Sequence, residues 1–259
     1  MSFHAHNRCG LQSGPSPSQV EWMYGEELIW IYFPLSSGEK ICGIWILTLP
    51  GGLATVAVYT TLGRSCNFGP YQEIERRTDI RLQRLNGGSD GFVTSLYYNN
   101  LRPKSTERVL RVAVSSTKNT IADVPKNPLW PISKIPDACR STGQQWFYSE
   151  GTLESVRSID IYKDRSNSNC VSILIHYENS TREVLGQWRF DHVINAMEKY
   201  EVPYLIHLYL GFVKGIPCVK NICFNLEKDY TGWVTIVMRG RLVWWFSELG
   251  GYVVHKYDV

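Results

Sequence analysis

A chain of 259 residues is long enough for one large domain or two small ones with a proper core. Its apolar and charged fractions, 44% and 20%, exclude intrinsic disorder, and a net charge of only +3 argues against nucleic acid as a partner. No apolar run is long enough for a membrane span.

Residues 1–19 are polar and carry Gly14, Pro15 and Pro17, so they read as a flexible leader. They lack the basic-then-apolar order of a secretory signal, which predicts a cytoplasmic protein. The cysteines (Cys9, Cys42, Cys66, Cys139, Cys170, Cys218 and Cys223) are odd in number and dispersed, and only Cys218 and Cys223 are close. No second pair completes a zinc site, so the expectation is free, mostly buried thiols, with no metal and no cofactor. In that compartment the sequon Asn179-Ser180-Thr181 is accidental.

Strand signals then follow in quick succession. Glu27–Phe33 is β-rich and stopped by Pro34; Lys40–Leu47 runs to the turn at Pro50-Gly51-Gly52; Leu53–Thr61 closes at Leu62-Gly63-Arg64. Asn67-Phe68-Gly69-Pro70 is a further turn, and Gly91–Tyr98 follows the flexible Asn86-Gly87-Gly88. Between about Asn100 and Gly143, Pro103, Pro125, Pro128, Pro131 and Pro136 point to a long crossing segment, with one strand inside it at Arg108–Val114. Ser155–Tyr162 alternates with period two, and Cys170–Tyr177 with Arg182–Phe190 reads as a hairpin whose first strand is buried. His192–Glu201 is the one plausible short helix. Tyr204–Phe212, Trp233–Arg239 and Leu242–Ser247 complete the strands, the last two joined by a tight hairpin turn at Met238-Arg239-Gly240-Arg241. The fold class is therefore all-β: an antiparallel β-prism or barrel-like body. Two β-rich halves, 20–102 and 140–259, form a single domain with a Pro-rich connection at 103–139.

Two stretches resemble the jacalin-like β-prism lectins. The first is Phe33-Pro34-Leu35 with Gly38-Glu39-Lys40-Ile41, then Val56–Arg64, Phe68-Gly69-Pro70-Tyr71 and Gly87-Gly88 to Gly91-Phe92; the second is Gly151–Tyr177. With Gly186-Gln187-Trp188-Arg189 and Leu242–Ser247, the chain is also similar to a group of filamentous-fungal proteins. The resemblance implies the lectin-type fold and, with it, glycan binding. It covers about half the chain and speaks to fold more than to activity. The family's Gly-x-x-x-Asp sugar loop has no counterpart: Val93–Asn99 has no carboxylate, and Asp90 is the only nearby candidate.

No hydrolase, kinase, dehydrogenase or zinc-protease motif is present, and the six histidines are dispersed. Polar groups gather instead at the ends of the second-half hairpin, where His176, Tyr177, Gln187 and Arg189 could share one cleft; the alternative pairs Arg189 with Asp191 or Glu178 and buries Trp188. Gly63-Arg64 reads as a turn with a structural arginine. Trp244 and Trp245 must project to opposite faces of their strand, one into the core and the other outward or into a cavity. With Trp146, Phe147, Tyr148 and Trp188 they could wall an apolar pocket; plain core packing is the alternative. Nine Trp exceed what a small β domain spends on its core.

The expected function is a cofactor-independent cyclase or isomerase, of the pericyclase or Diels-Alder type, acting on an apolar small molecule in a fungal biosynthetic pathway. Arg189, Gln187, His176 and Arg241 would be the donors, and Trp146, Tyr148, Tyr177, Trp188, Trp244 and Trp245 the ligand-binding walls. The alternatives are a jacalin-like carbohydrate-binding lectin, with a glycan as ligand, and a non-catalytic scaffold.

Overall fold

The structure, a computed structural model, describes residues 2–5, 9–11, 29–48, 54–73, 81–86, 91–98, 112–117, 125, 134–164, 168–188, 198–201, 203–224 and 231–257. These residues are almost wholly β, in antiparallel sheets, one of them curled into a half-barrel. The chain divides into two compact units, Met1–Trp30 with Leu35–Lys134, and Ile31–Pro34 with Ile135–Val259.

In the first unit, β1 (Ser2–Ala5) and β2 (Cys9–Leu11) pair antiparallel, Phe3 opposite Leu11 and Ala5 opposite Cys9; β3 (Ile29–Tyr32) begins in this unit and ends in the second. Part of the expected leader is thus paired strand; its turn-forming Gly14, Pro15 and Pro17 all come after Leu11 and leave the preceding residues free to pair. A second sheet has the order β6-β5-β4-β7, built from β4 (Ile41–Thr48), β5 (Thr55–Thr60), β6 (Ser65–Phe68) and β7 (Arg81–Arg84). β4 and β5 are buried on both faces, which is why they read as nearly continuous apolar runs. Asn86, read as part of a flexible turn, is instead buried at the edge of β4. Its Oδ1 accepts from the Ile44 amide at 3.0 Å and its Nδ2 donates to the Cys42 carbonyl at 2.7 Å, replacing a ladder that β7 no longer reaches. Strands β8 (Val93–Tyr98) and β9 (Val112–Ser116) pair with each other.

The second unit opens with a single helical turn, α1 (Asp137–Arg140), inside the segment where no such element was expected; Asp137 sits in its first turn and Arg140 in its last, where each suits the helix dipole. One sheet has the order β10-β18-β19, from β10 (Phe147–Thr152), β18 (Arg241–Phe246) and β19 (Gly251–Lys256). The other runs β14-β11-β12-β16-β15-β17, from β11 (Val156–Lys163), β12 (Cys170–Tyr177), β14 (Glu198–Glu201), β15 (Leu205–Val213), β16 (Ile216–Cys223) and β17 (Trp233–Val237); β13 (Arg182–Gly186) pairs with β12.

Three expectations are corrected here. Residues Glu198–Glu201, the end of the expected helix, are strand β14, because β11 offers an open edge on which Ser158 meets Glu201 and Ile161 meets Glu198. The chain at Met238–Gly240 is a crossover between sheets: β17 pairs with β15, while β18 pairs with β10 and β19. Gly240 makes that crossing possible, with φ +77° and with its carbonyl accepting from the Leu153 amide at 2.8 Å; a Cβ there would lie 2.3 Å from the Lys256 carbonyl oxygen. Finally, the strand expected over Arg182–Phe190 ends at Gly186, where φ is +90° and the Gln187 amide turns back to the Val171 carbonyl at 3.0 Å.

Candidate functional site

Strand alternation sorts the sequence-chosen residues of the second unit onto three surfaces, so they do not share one cleft. Tyr177 and Trp244 lie between the two sheets of the unit. There Gly151 approaches Glu183, Tyr177 and Leu185 closely, and the Ser149 hydroxyl accepts from the Gly186 amide at 2.9 Å. The Tyr177 hydroxyl lies 2.9 Å from the Thr152 carbonyl and also reaches the Glu183 carboxylate. Gln187 spans the sheets, its Nε2 donating to the Ser247 carbonyl at 2.7 Å. These polar groups are committed to holding the two layers together.

The opposite face of the three-stranded sheet carries Tyr148, Trp245 and Arg241. Tyr148 and Trp245 are cross-strand partners whose rings meet edge to face, 5.0 Å between centroids. Glu150 links Tyr148 to Arg241: it accepts from the Tyr148 hydroxyl, and from Arg241 Nη2 at 2.6 Å. Arg241 therefore serves its own sheet as an ion-pair partner. Both Trp244 and Trp245 are fully buried, so the alternation holds but neither ring faces bulk water. Trp146 precedes β10, and its indole donates to the Thr142 hydroxyl at 3.0 Å, tying the strand to the turn after α1. Arg189, like Asp90, lies outside the described residues.

His176 and Trp188 fall together on the third surface, the face of the β11-β12-β13 layer turned away from the three-stranded sheet. Register places Tyr162 beside Ser172, Asp160 beside Leu174, Val184 beside Leu174 and Arg182 beside His176. Trp188 packs over Tyr162, Leu174 and Val184, with Tyr32 and Val171 at the rim; the Tyr162 and Trp188 centroids are 5.7 Å apart. Next to this dry cluster, His176 Nε2 lies 2.7 Å from Asp160 Oδ2; the His176 side chain is 27% exposed and that of Asp160 only 6%. The other carboxylate oxygen of Asp160 and the Ser172 hydroxyl are buried, with no hydrogen-bond partner among the described residues.

Sequence reasoning passed over Asp160, Glu150, Tyr162 and Ser172. The signal for Asp160 was present: it is the lone acid in an otherwise apolar stretch of a period-two strand, and a carboxylate at a buried strand position needs a partner. With Nε2 committed to Asp160, a neutral His176 presents Nδ1 as an acceptor, and a protonated one presents an N–H there. Among the described residues, no group of three or more His, Cys, Asp or Glu is placed to hold a metal ion, and no helix is long and apolar enough to cross a membrane.

The residues that carry the lectin resemblance in the first unit hold each other. Glu39 is buried and accepts from the Ser36 amide at 2.8 Å, from the Thr60 hydroxyl at 2.6 Å and from Arg64 Nε at 2.9 Å, with Arg64 Nη2 on its second oxygen. Burial alone would push this carboxyl up, yet the Arg64, Ser36 and Thr60 hydrogen bonds hold it below its ordinary value. Arg64 is thus the structural arginine expected at this turn. Cys42, Cys139, Cys170 and Cys218 are buried, and burial raises the Cys42 and Cys218 thiols and pushes Cys139 up to about 12.

No protein-family model matches the chain, and no curated protein matches it either.

Proposed function

We propose that the second unit binds an apolar small molecule and acts on it as a cofactor-independent cyclase or isomerase, with His176 as the group that meets the reacting atoms. One observation carries this reading: a partly exposed histidine, oriented by a buried aspartate, stands beside the apolar Tyr162–Leu174–Val184–Trp188 cluster. An apolar substrate lying along the cluster, against its rim at Tyr32 and Val171, loses water there and comes within reach of the imidazole edge. In a cycloaddition the protonated ring donates to a carbonyl and lowers the barrier without moving a proton. In an isomerisation the neutral ring takes a proton at Nδ1 from a carbon next to a carbonyl and returns it at another carbon. Asp160 positions the ring and balances its charge in both.

The test is turnover of linear polyenes bearing an α,β-unsaturated carbonyl, followed by loss of polyene absorbance, alongside displacement of N-phenyl-1-naphthylamine as an apolar probe. His176→Ala should lower turnover roughly 100-fold, the usual scale for a positioned acid–base group. Absence of both turnover and probe binding sinks the reading.

The lectin and scaffold alternatives have no specific observation in their favour. The Gly38-Glu39 and Gly63-Arg64 segments that carry the resemblance are occupied with one another in the first unit. A glycan array that bound the chain, with binding lost in Asp90→Ala, would turn the preference to a lectin.

A further inference from the structure

We draw no further inference here: the strongest candidate, the cross-strand row of Asn67, Ala57, Trp45 and Arg84 on the four-stranded sheet of the first unit, where buried Asn67 Oδ1, Trp45 Nε1 and Arg84 Nε have no hydrogen-bond partner among the described residues, carries nothing because nothing among those residues shows a cavity beside the row or what would fill it.

Discussion

Replacing Arg64 by methionine takes the guanidinium away from Glu39, whose side chain is fully buried, and leaves, among the described residues, the Ser36 amide and the Thr60 hydroxyl facing the carboxylate. Removing one partner of a buried pair costs about 3–5 kcal/mol when the other stays charged. Glu39 can escape by taking up a proton, and that sets a ceiling. With an unfolded-state value of 4.5, the ceiling is about 3.4 kcal/mol at pH 7 and about 0.7 kcal/mol at pH 5. The sign follows from the two directions. In the wild type the carboxyl is held below its ordinary value, so its contribution is present above pH 4.5 and is lost as pH falls through the lower folded-state value. In Arg64→Met, burial raises the same carboxyl, so stability is retained below pH 4.5 and lost as pH rises. Urea unfolding of both chains at pH 5, 6 and 7 should therefore show a gap that widens with pH, and adding Glu39→Gln to Arg64→Met should recover about 2 kcal/mol at pH 7. A gap of equal size at pH 5 and pH 7 would refute the account of Glu39 as a buried carboxylate held by Arg64.

Three further outcomes are expected. Trp188→Ala should cost about 3–5 kcal/mol in thermal or urea unfolding, because the ring is packed over Tyr162, Leu174 and Val184; a loss below about 1 kcal/mol would show a ring that is not part of the packed layer. Gly186→Ala should cost about 2–4 kcal/mol, since φ is +90° and the new Cβ would sit 2.2 Å from the Val171 carbonyl oxygen; near-wild-type stability would contradict that turn. With its thiol pushed up to about 12, Cys139 should resist Ellman's reagent at pH 8 in the folded chain, while the partly exposed Cys66 and Cys223 react first; early modification of Cys139 by peptide mapping would contradict its burial.

Most of the strands were legible because their signal is local. Ile41–Thr48, Val156–Lys163 and Cys170–Tyr177 combine β-branched and aromatic residues with period-two or continuous apolar character, and turn residues mark their ends. Local signals also misled. His192–Glu201 contains helix formers, yet Glu198–Glu201 joins the open edge of β11, and nothing in those residues announces which neighbour they will meet. The same holds for Met238–Gly240, where turn chemistry is plain but the partners of the flanking strands are not.

By itself the amino-acid order determined the all-β class, the turn at Gly63-Arg64 with its structural arginine, and the opposed directions of Trp244 and Trp245, since each depends on a few neighbouring dihedrals. Tertiary structure alone decided that His176 meets Asp160, that Glu150 gathers Tyr148 and Arg241, and that Tyr177 is turned away from its neighbour's face into the space between the sheets. The reason is physical: alternation assigns residues to two faces, but which strand lies alongside, and in what register, is set by burial summed over the whole sheet. A histidine becomes a candidate reacting group only when a strand from elsewhere in the chain brings a carboxylate to its ring.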